Sequence, residues 1–328
     1  MSNRVLIVTL AALMGTYSLR AAEEILVSST RSSSLEQFTP SGKWVRTFAT
    51  TGPYSPVAIA QSPLSGEIFV TTEFSGQQVG QLTNIILRYE ANGQFDTNWD
   101  TFTVACNEPC YSPDTESLLF DSSGNLWVAT AYGTGATNPI FILEYLAADL
   151  SMPNPPAQPR PIMANMYRGD QMAFDASGDL CIAGFIDEDV QCFDTSTGAL
   201  TQDYHAEILA SGLGIEPGGL AFDSYGRLYL SSIFTGQVIK ETKKGGPLEV
   251  VATVDSPPNL LNANLVLRAG ELYVPTYYYP PPTASTPDAV YQVSTSGTVA
   301  DFIVGGAPPA LGNDHLWGAN WLIFYSTL

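Results

Sequence analysis

Three stretches of this chain repeat one another. Residues 119–129, 173–183 and 221–231 each run from an apolar strand through Phe-Asp into an Asp-x-x-Gly turn and out into a second apolar strand. The turn residues are Asp121 and Gly124, Asp175 and Gly178, and Asp223 and Gly226. Asp at the first position hydrogen-bonds its own backbone two residues on, and Gly at the fourth reaches positive φ without steric cost, so each copy specifies a β-hairpin. One hairpin cannot bury its apolar face alone. A unit recurring at roughly 50 residues therefore stacks on copies of itself, in a line as a solenoid or in a circle as a propeller.

The chain has 328 residues, which accommodates six such units of roughly 50. A propeller blade is four antiparallel strands, a to d from the axis outward. That template fits residues 57–102, 117–166, 171–209, 216–255 and 264–304. Residues 24–50 read as strands b, c and d with no strand a, and residues 314–327 hold one or two strands with nothing after them. The C-terminus is therefore expected to supply the inner strand of the first blade, which closes the ring and removes exposed sheet edges. The predicted fold is all-β: one six-bladed β-propeller of four-stranded antiparallel blades over residues 23–328.

Residues 1–22 read as a signal peptide. Arg4 precedes an apolar run over residues 5–19 that is too short to span a bilayer, and Ala21-Ala22 precede a cleavage point near Glu23, with cleavage after Ser18 as the alternative. A secreted or periplasmic location follows. Asp and Glu number 32 against 13 Lys and Arg, a formal charge of -19. That field repels phosphate backbones and anionic lipid, so no nucleic-acid partner and no membrane span are expected. Export makes the four cysteines disulfide candidates. Cys181 and Cys192 are symmetric about the turn 185–188 and should face each other across two strands. Cys106 and Cys110 would close a small loop, or begin a zinc site that no second pair completes.

Gly124-Asn125-Leu126-Trp127-Val128 and Gly270-Glu271-Leu272-Tyr273-Val274 are copies of a Gly-x-Leu-Tyr/Trp-Val pattern. The pattern resembles NHL-type repeats. It is also similar to the six-bladed group that includes gluconolactonases of the senescence-marker-protein type, paraoxonases, streptogramin lyases and strictosidine-synthase-like proteins. The resemblance implies the fold and brings metal-dependent lactonase chemistry into view. The chain departs from that group's functional motifs. It has no Glu-Gly-Pro-x-Trp element, and the calcium-binding Pro-Asn-Gly-Leu element stands here as Pro217-Gly218-Gly219-Leu220. The catalytic His of streptogramin lyases has only His205 and His315 as counterparts.

In a propeller, the d–a and b–c loops share one face, and every strand a begins there at the axis. Aligning the inner strands on Gly219 gives a ring of Ala58, Ser117, Gln171, Gly219, Asn264 and His315. One residue earlier lie Val57, Glu116, Asp170, Gly218, Ala263 and Asp314. Glu116, Asp170, Asn264 and Asp314 are oxygen donors of the kind Ca2+ takes; the bland alternative is a polar lining for a water-filled channel. His315 and Asp314 are the candidate acid/base groups, with a structural histidine as the alternative. The same face should carry the long loops, with Tyr132, Tyr277 and Tyr278 joining Glu116, Asp170, Gln171 and Asn264 as ligand-binding candidates. Asp187-Glu188-Asp189 reads as a solvated hairpin tip. Two functions compete: a binding protein for a protein, glycan or small ligand, and a Ca2+-dependent lactonase or esterase at the channel mouth. No Gly-x-Ser-x-Gly elbow, phosphate loop or His-Glu-x-x-His motif is present.

Overall fold

The computed structural model describes residues 23–73, 81–105, 115–130, 140–153, 162–166, 168–254, 260–262, 264–278, 289–305, 316 and 318–326. They form six antiparallel sheets, which contact one another in sequence around a closed ring. Blade 1 orders Ala319–Ser326, Glu23–Ser29, Ser34–Phe38 and Trp44–Thr50 from the axis outward. Blade 2 runs Ser55–Gln61, Ile68–Glu73, Gln81–Tyr89 and Phe95–Ala105, and blade 3 runs Thr115–Phe120, Leu126–Thr130, Ile140–Tyr145 and Ile162–Ala164. Blade 4 comprises Met172–Phe174, Leu180–Gly184, Asp189–Phe193 and Leu200–Asp203, and blade 5 comprises Pro217–Phe222, Leu228–Ser232, Gln237–Glu241 and Leu248–Thr253. In blade 6 the inner edge is split into Leu260–Asn262 and Val266–Arg268, followed by Glu271–Tyr278, Ala289–Ser294 and Val299–Val304. A short helix, His205–Ser211, connects blades 4 and 5; the strand patterning gave no sign of it.

The repeated hairpin forms as its residues dictate. Asp121 Oδ1 accepts the backbone N–H of Ser123 at 2.8 Å and of Asn125 at 2.9 Å. Asp175 does the same for Ser177 and Asp179, and Asp223 for Tyr225 and Arg227. Gly124, Gly178 and Gly226 close the three turns at φ of 84°, 89° and 73°.

The ring closes as predicted. The C-terminal strand lies antiparallel to the N-terminal one, with Glu23 opposite Ser326 and Val27 opposite Leu322. The seam is also fastened to the next blade. The Gln61 side-chain amide pairs with the Ser326 backbone at 3.0 Å in both directions. Blade-to-blade packing is apolar and close. At the c–d turns, a Cβ on Gly42, Gly93 or Gly297 would fall within 2.5 Å of a carbonyl oxygen on the outer strand of the preceding blade. Only glycine allows the turn to sit there.

Cys181 and Cys192 are directly opposite and disulfide-bonded, buried against the inner strands of blade 5. Cys106 and Cys110 lie outside the described residues. Asp189 departs from the solvated reading of its turn. It is buried, and desolvation raises its carboxyl pKa, while Gln191 Nε2 donates to Oδ2 at 2.9 Å.

Leu322, in the C-terminal strand, is fully buried. Leu322→Ala is expected to cost about 2–5 kcal/mol, the range for a core leucine, in equilibrium urea unfolding. A cost below about 1 kcal/mol would mean that the C-terminal strand is not an integral blade strand.

Candidate functional site

The six inner strands share one irregularity. Register shifts by a single residue between Ala319 and Leu322 in blade 1, Pro56 and Ile59 in blade 2, Thr115 and Ser117 in blade 3, and Pro217 and Gly219 in blade 5. In blade 4, Asp170 N–H donates to Ala183 O at 2.7 Å while Ala183 N–H donates to Gln171 O at 3.0 Å, so two residues face one. In blade 6, four steps from Asn262 to Val266 oppose three from Thr276 to Tyr273. A bulge leaves backbone groups without a ladder partner, and at the axis those groups are buried. They have to be met by side chains.

Hydroxyls on the adjacent strand b and polar residues of the inner strands supply them. Ala58 N–H donates to Thr71 Oγ1 at 2.9 Å, and Trp321 N–H donates to Ser28 Oγ at 2.8 Å. Ser28 Oγ in turn donates to Val57 O of blade 2, and Ser117 Oγ accepts Met172 N–H of blade 4. Gln171 reaches further. Its Oε1 accepts Leu220 N–H of blade 5 at 2.9 Å and Leu265 N–H of blade 6 at 2.8 Å, and its Nε2 donates to Leu265 O at 3.0 Å. Gly219 leaves room for this; a Cβ there would sit 2.8 Å from Leu265 N. Asn264 Oδ1 accepts Leu322 N–H of blade 1 at 3.2 Å.

The register assigns Trp321 and Asn320, rather than His315 and Asp314, to the blade 1 positions of the two rings. His315, Asp314 and Ala263 lie outside the described residues. A sequence signal for this register exists. The residue three after the ring position is Phe120, Phe174, Phe222 and Phe324 in four blades, and counting from His315 would put Gly318 there. Glu116 is described in its backbone alone, within Thr115–Phe120. Tyr132 lies outside the described residues. Tyr277 and Tyr278 do not open a loop; they extend their strand, opposite Leu261 and Leu260.

Asp170 is 6% exposed. Its Oδ1 is 3.1 Å from Arg168 Nε, and its Oδ2 accepts Phe185 N–H at 3.3 Å. Burial dominates over the guanidinium and pushes the carboxyl up to about 6. Arg168 also stacks on the Phe185 ring, which meets Phe234 edge-on at 5.9 Å, with Ile186 and Phe234 exposed beside them. These donors suit Ca2+ poorly. Asp170 already faces a cation, and the side-chain carbonyls of Gln171 and Asn264 already accept backbone N–H groups. Among the described residues, no three His, Cys, Asp or Glu side chains are grouped to hold a metal.

An axial cavity of about 590 Å³ opens on the opposite face, that of the a–b and c–d turns. Its lining begins at Gln171, Asn264 and Trp321 and, among the described residues, includes nothing earlier on an inner strand. The ring level is therefore its inner end.

No family model and no curated protein matches the sequence. Solved structures do. A protein of unknown function from Bacteroides caccae superposes with TM-score 0.63 at 13% identity, covering 93% of this chain and 99% of that one. A chain of the nidogen/laminin complex gives 0.60 at 10% identity, with 93% and 99% coverage. A putative 6-phosphogluconolactonase from Bacteroides uniformis gives 0.54 at 14% identity, with 92% and 85% coverage. The likeness is one of fold. The described residues form a six-bladed propeller, and the chemistry has to be argued from this chain's own residues.

Two outcomes follow. Gln171→Leu strands two N–H groups and one carbonyl, and should cost roughly 2–6 kcal/mol in urea unfolding; a near-neutral result would show that the side chain does not hold the axis. The raised pKa of Asp170 means that the folded state takes up its proton more readily than the unfolded chain. Its contribution is fully present below the unfolded value and is lost as pH rises through about 6. Thermal melts should therefore fall less steeply between acid and neutral pH in Asp170→Asn than in the wild type; equal slopes would refute the assignment.

Proposed function

We propose that the chain is an exported binding protein that holds a protein, glycan or small ligand on the face of its d–a and b–c loops. The observation that carries this reading is the commitment of the axial ring to the fold. A hydrolase working at the axis needs free oxygens there, and those of Gln171, Asn264 and Asp170 are occupied by backbone N–H groups and by Arg168. Binding asks less of that face. Phe234 is 50% exposed and Ile186 46%; Ile186 follows Phe185 in the b–c turn of blade 4, and Phe234, in the b–c turn of blade 5, meets the Phe185 ring on which Arg168 stacks. Aromatic and arginine side chains of this kind are enriched at protein contacts. A propeller chain in the nidogen/laminin complex is a fold-level parallel. The Cys181–Cys192 disulfide supports export, since thiols stay reduced in the cytosol. No helix among the described residues is long and apolar enough to cross a membrane.

The competing reading, a Ca2+-dependent lactonase or esterase, draws on Glu116, Asp314 and His315 and on the likeness to the putative 6-phosphogluconolactonase. Thermal melts in EDTA and in excess Ca2+ separate the two. The binding reading expects coincident melts and no lactone turnover, whereas a site at a hundredfold excess over Kd would add about 2.7 kcal/mol. A screen of glycans and extracellular protein domains supplies the positive arm, with any hit weakened at least about fivefold by Phe234→Ala, the size of a contributing interface residue. Calcium-dependent melting together with lactone hydrolysis would replace this reading with the enzymatic one.

A further inference from the structure

The axial cavity lies on the face opposite the proposed binding surface and has a different chemistry. We propose that it is a site for a neutral, largely apolar small molecule that presents one hydrogen-bond acceptor, a carbonyl or ether oxygen, to Asn264. Its volume of about 590 Å³ lies within the range of small-molecule pockets, roughly 300–1,000 Å³. The walls are Ile59, Leu118, Met172, Val266 and Leu322, with Trp321 at the inner end. Among the described residues, no ionisable side chain lines it, so a charged ligand would lose its hydration and gain no partner there. The polar groups at the mouth and floor are largely spent. Gln61 is bonded to Ser326, and both ends of the Gln171 amide are bonded to backbone.

Asn264 differs. It is 1% exposed and lines the cavity, and its Oδ1 is taken by Leu322 N–H. Its Nδ2 has no hydrogen-bond partner among the described residues. A buried donor left unmet carries a free-energy penalty that a bound acceptor removes. The cavity thus offers an apolar body site with one unpaired, covered N–H in its wall; an occupant that draws the Asn264 amide toward it is a ketone, ester or ether rather than a hydrocarbon of the same shape.

Equilibrium dialysis of the full chain with benzophenone and with diphenylmethane tests this, because the two probes differ in shape by little more than the carbonyl. Both should bind, the ketone about three- to tenfold more tightly, the ratio expected for one neutral hydrogen bond. Asn264→Asp, read at alkaline pH where the carboxyl is ionised, keeps the acceptor for Leu322 and removes the donor, so the preference should vanish there. Val266→Trp and, from the opposite wall, Leu119→Trp leave Asn264 intact, fill the cavity from half-buried positions, and should abolish binding of both probes. Failure of the wild type to bind either probe, undiminished binding in the tryptophan variants, or a ketone preference that survives Asn264→Asp would each overturn the proposal. None of these outcomes depends on the loop-bearing face.

Discussion

Six inner strands converge on one axis, and their backbone N–H groups must be satisfied where neither water nor a ladder partner is at hand. That constraint organises the centre of the molecule. Each blade bends its inner strand with a one-residue bulge at the same level. The bulge increases local twist, which lets strands crowd around a point, and it frees N–H groups just where crowding is worst. Short hydroxyls on strand b answer within the blade, as Ser28 and Thr71 do. Longer amides answer between blades, as Gln171 and Asn264 do. Gln171 spans blades 4, 5 and 6 because Gly219 has no side chain to obstruct it. A polar ring at the axis is thus what the inner-strand backbone requires before any ligand is considered.

Closure makes that centre cooperative. With the C-terminal strand in place, blade 1 is built from both ends of the chain, and its inner residues carry hydrogen bonds to both neighbours: Leu322 to Asn264 of blade 6, and Ser326 to Gln61 of blade 2. Removing the strand would open a sheet edge and strand the Asn264 carbonyl at the same time. The outer layers add a second circuit. Glycine turns rest on the preceding blade's outer strand at Gly42, Gly93 and Gly297, so rotating one blade would drive a turn into a carbonyl. Stability is therefore distributed around the ring, with the Cys181–Cys192 disulfide as the one covalent cross-link among the described residues.

The Asp-x-x-Gly hairpins, the blade count, the shared first blade and the Cys181–Cys192 pair were all legible in the sequence, because each rests on a local rule: an Asp side chain reaching its own turn, a period, a missing strand, two residues symmetric about a turn. The ring positions of blades 3, 4 and 5 were legible for the same reason, since the Asp-x-x-Gly turn anchors the register of the strand before it. Blade 1 has no such anchor. Its inner strand is the last, no Asp-x-x-Gly follows it, and Leu316 after His315 mimics the apolar residue that follows each true ring position. Only the aromatic three residues on, Phe324, distinguishes Trp321. The purpose of the ring was not legible at all. Glu116, Asp170, Gln171 and Asn264 have the composition of a cation site, and composition cannot show that a bulge has freed the N–H groups that two of these side chains then accept.

The ring also divides the axis into two compartments of opposite character. On the loop-bearing side lie the buried Asp170, its partner Arg168, Asp187 bonded to Arg168 N–H, and Glu216, whose carboxyl burial raises, with Glu188 adding to the shift. On the other side the lining is uncharged and mostly apolar. The layer between is thin: Gln171 directly follows Asp170 on one side and, with Asn264, lines the cavity on the other. A ligand that engages Asn264 Nδ2 would meet a side chain whose Oδ1 already holds blade 1 to blade 6. At the level of the ring, Gln171 and Asn264 touch the cavity and bond neighbouring blades at once, which makes these amides the direct physical link between the two faces.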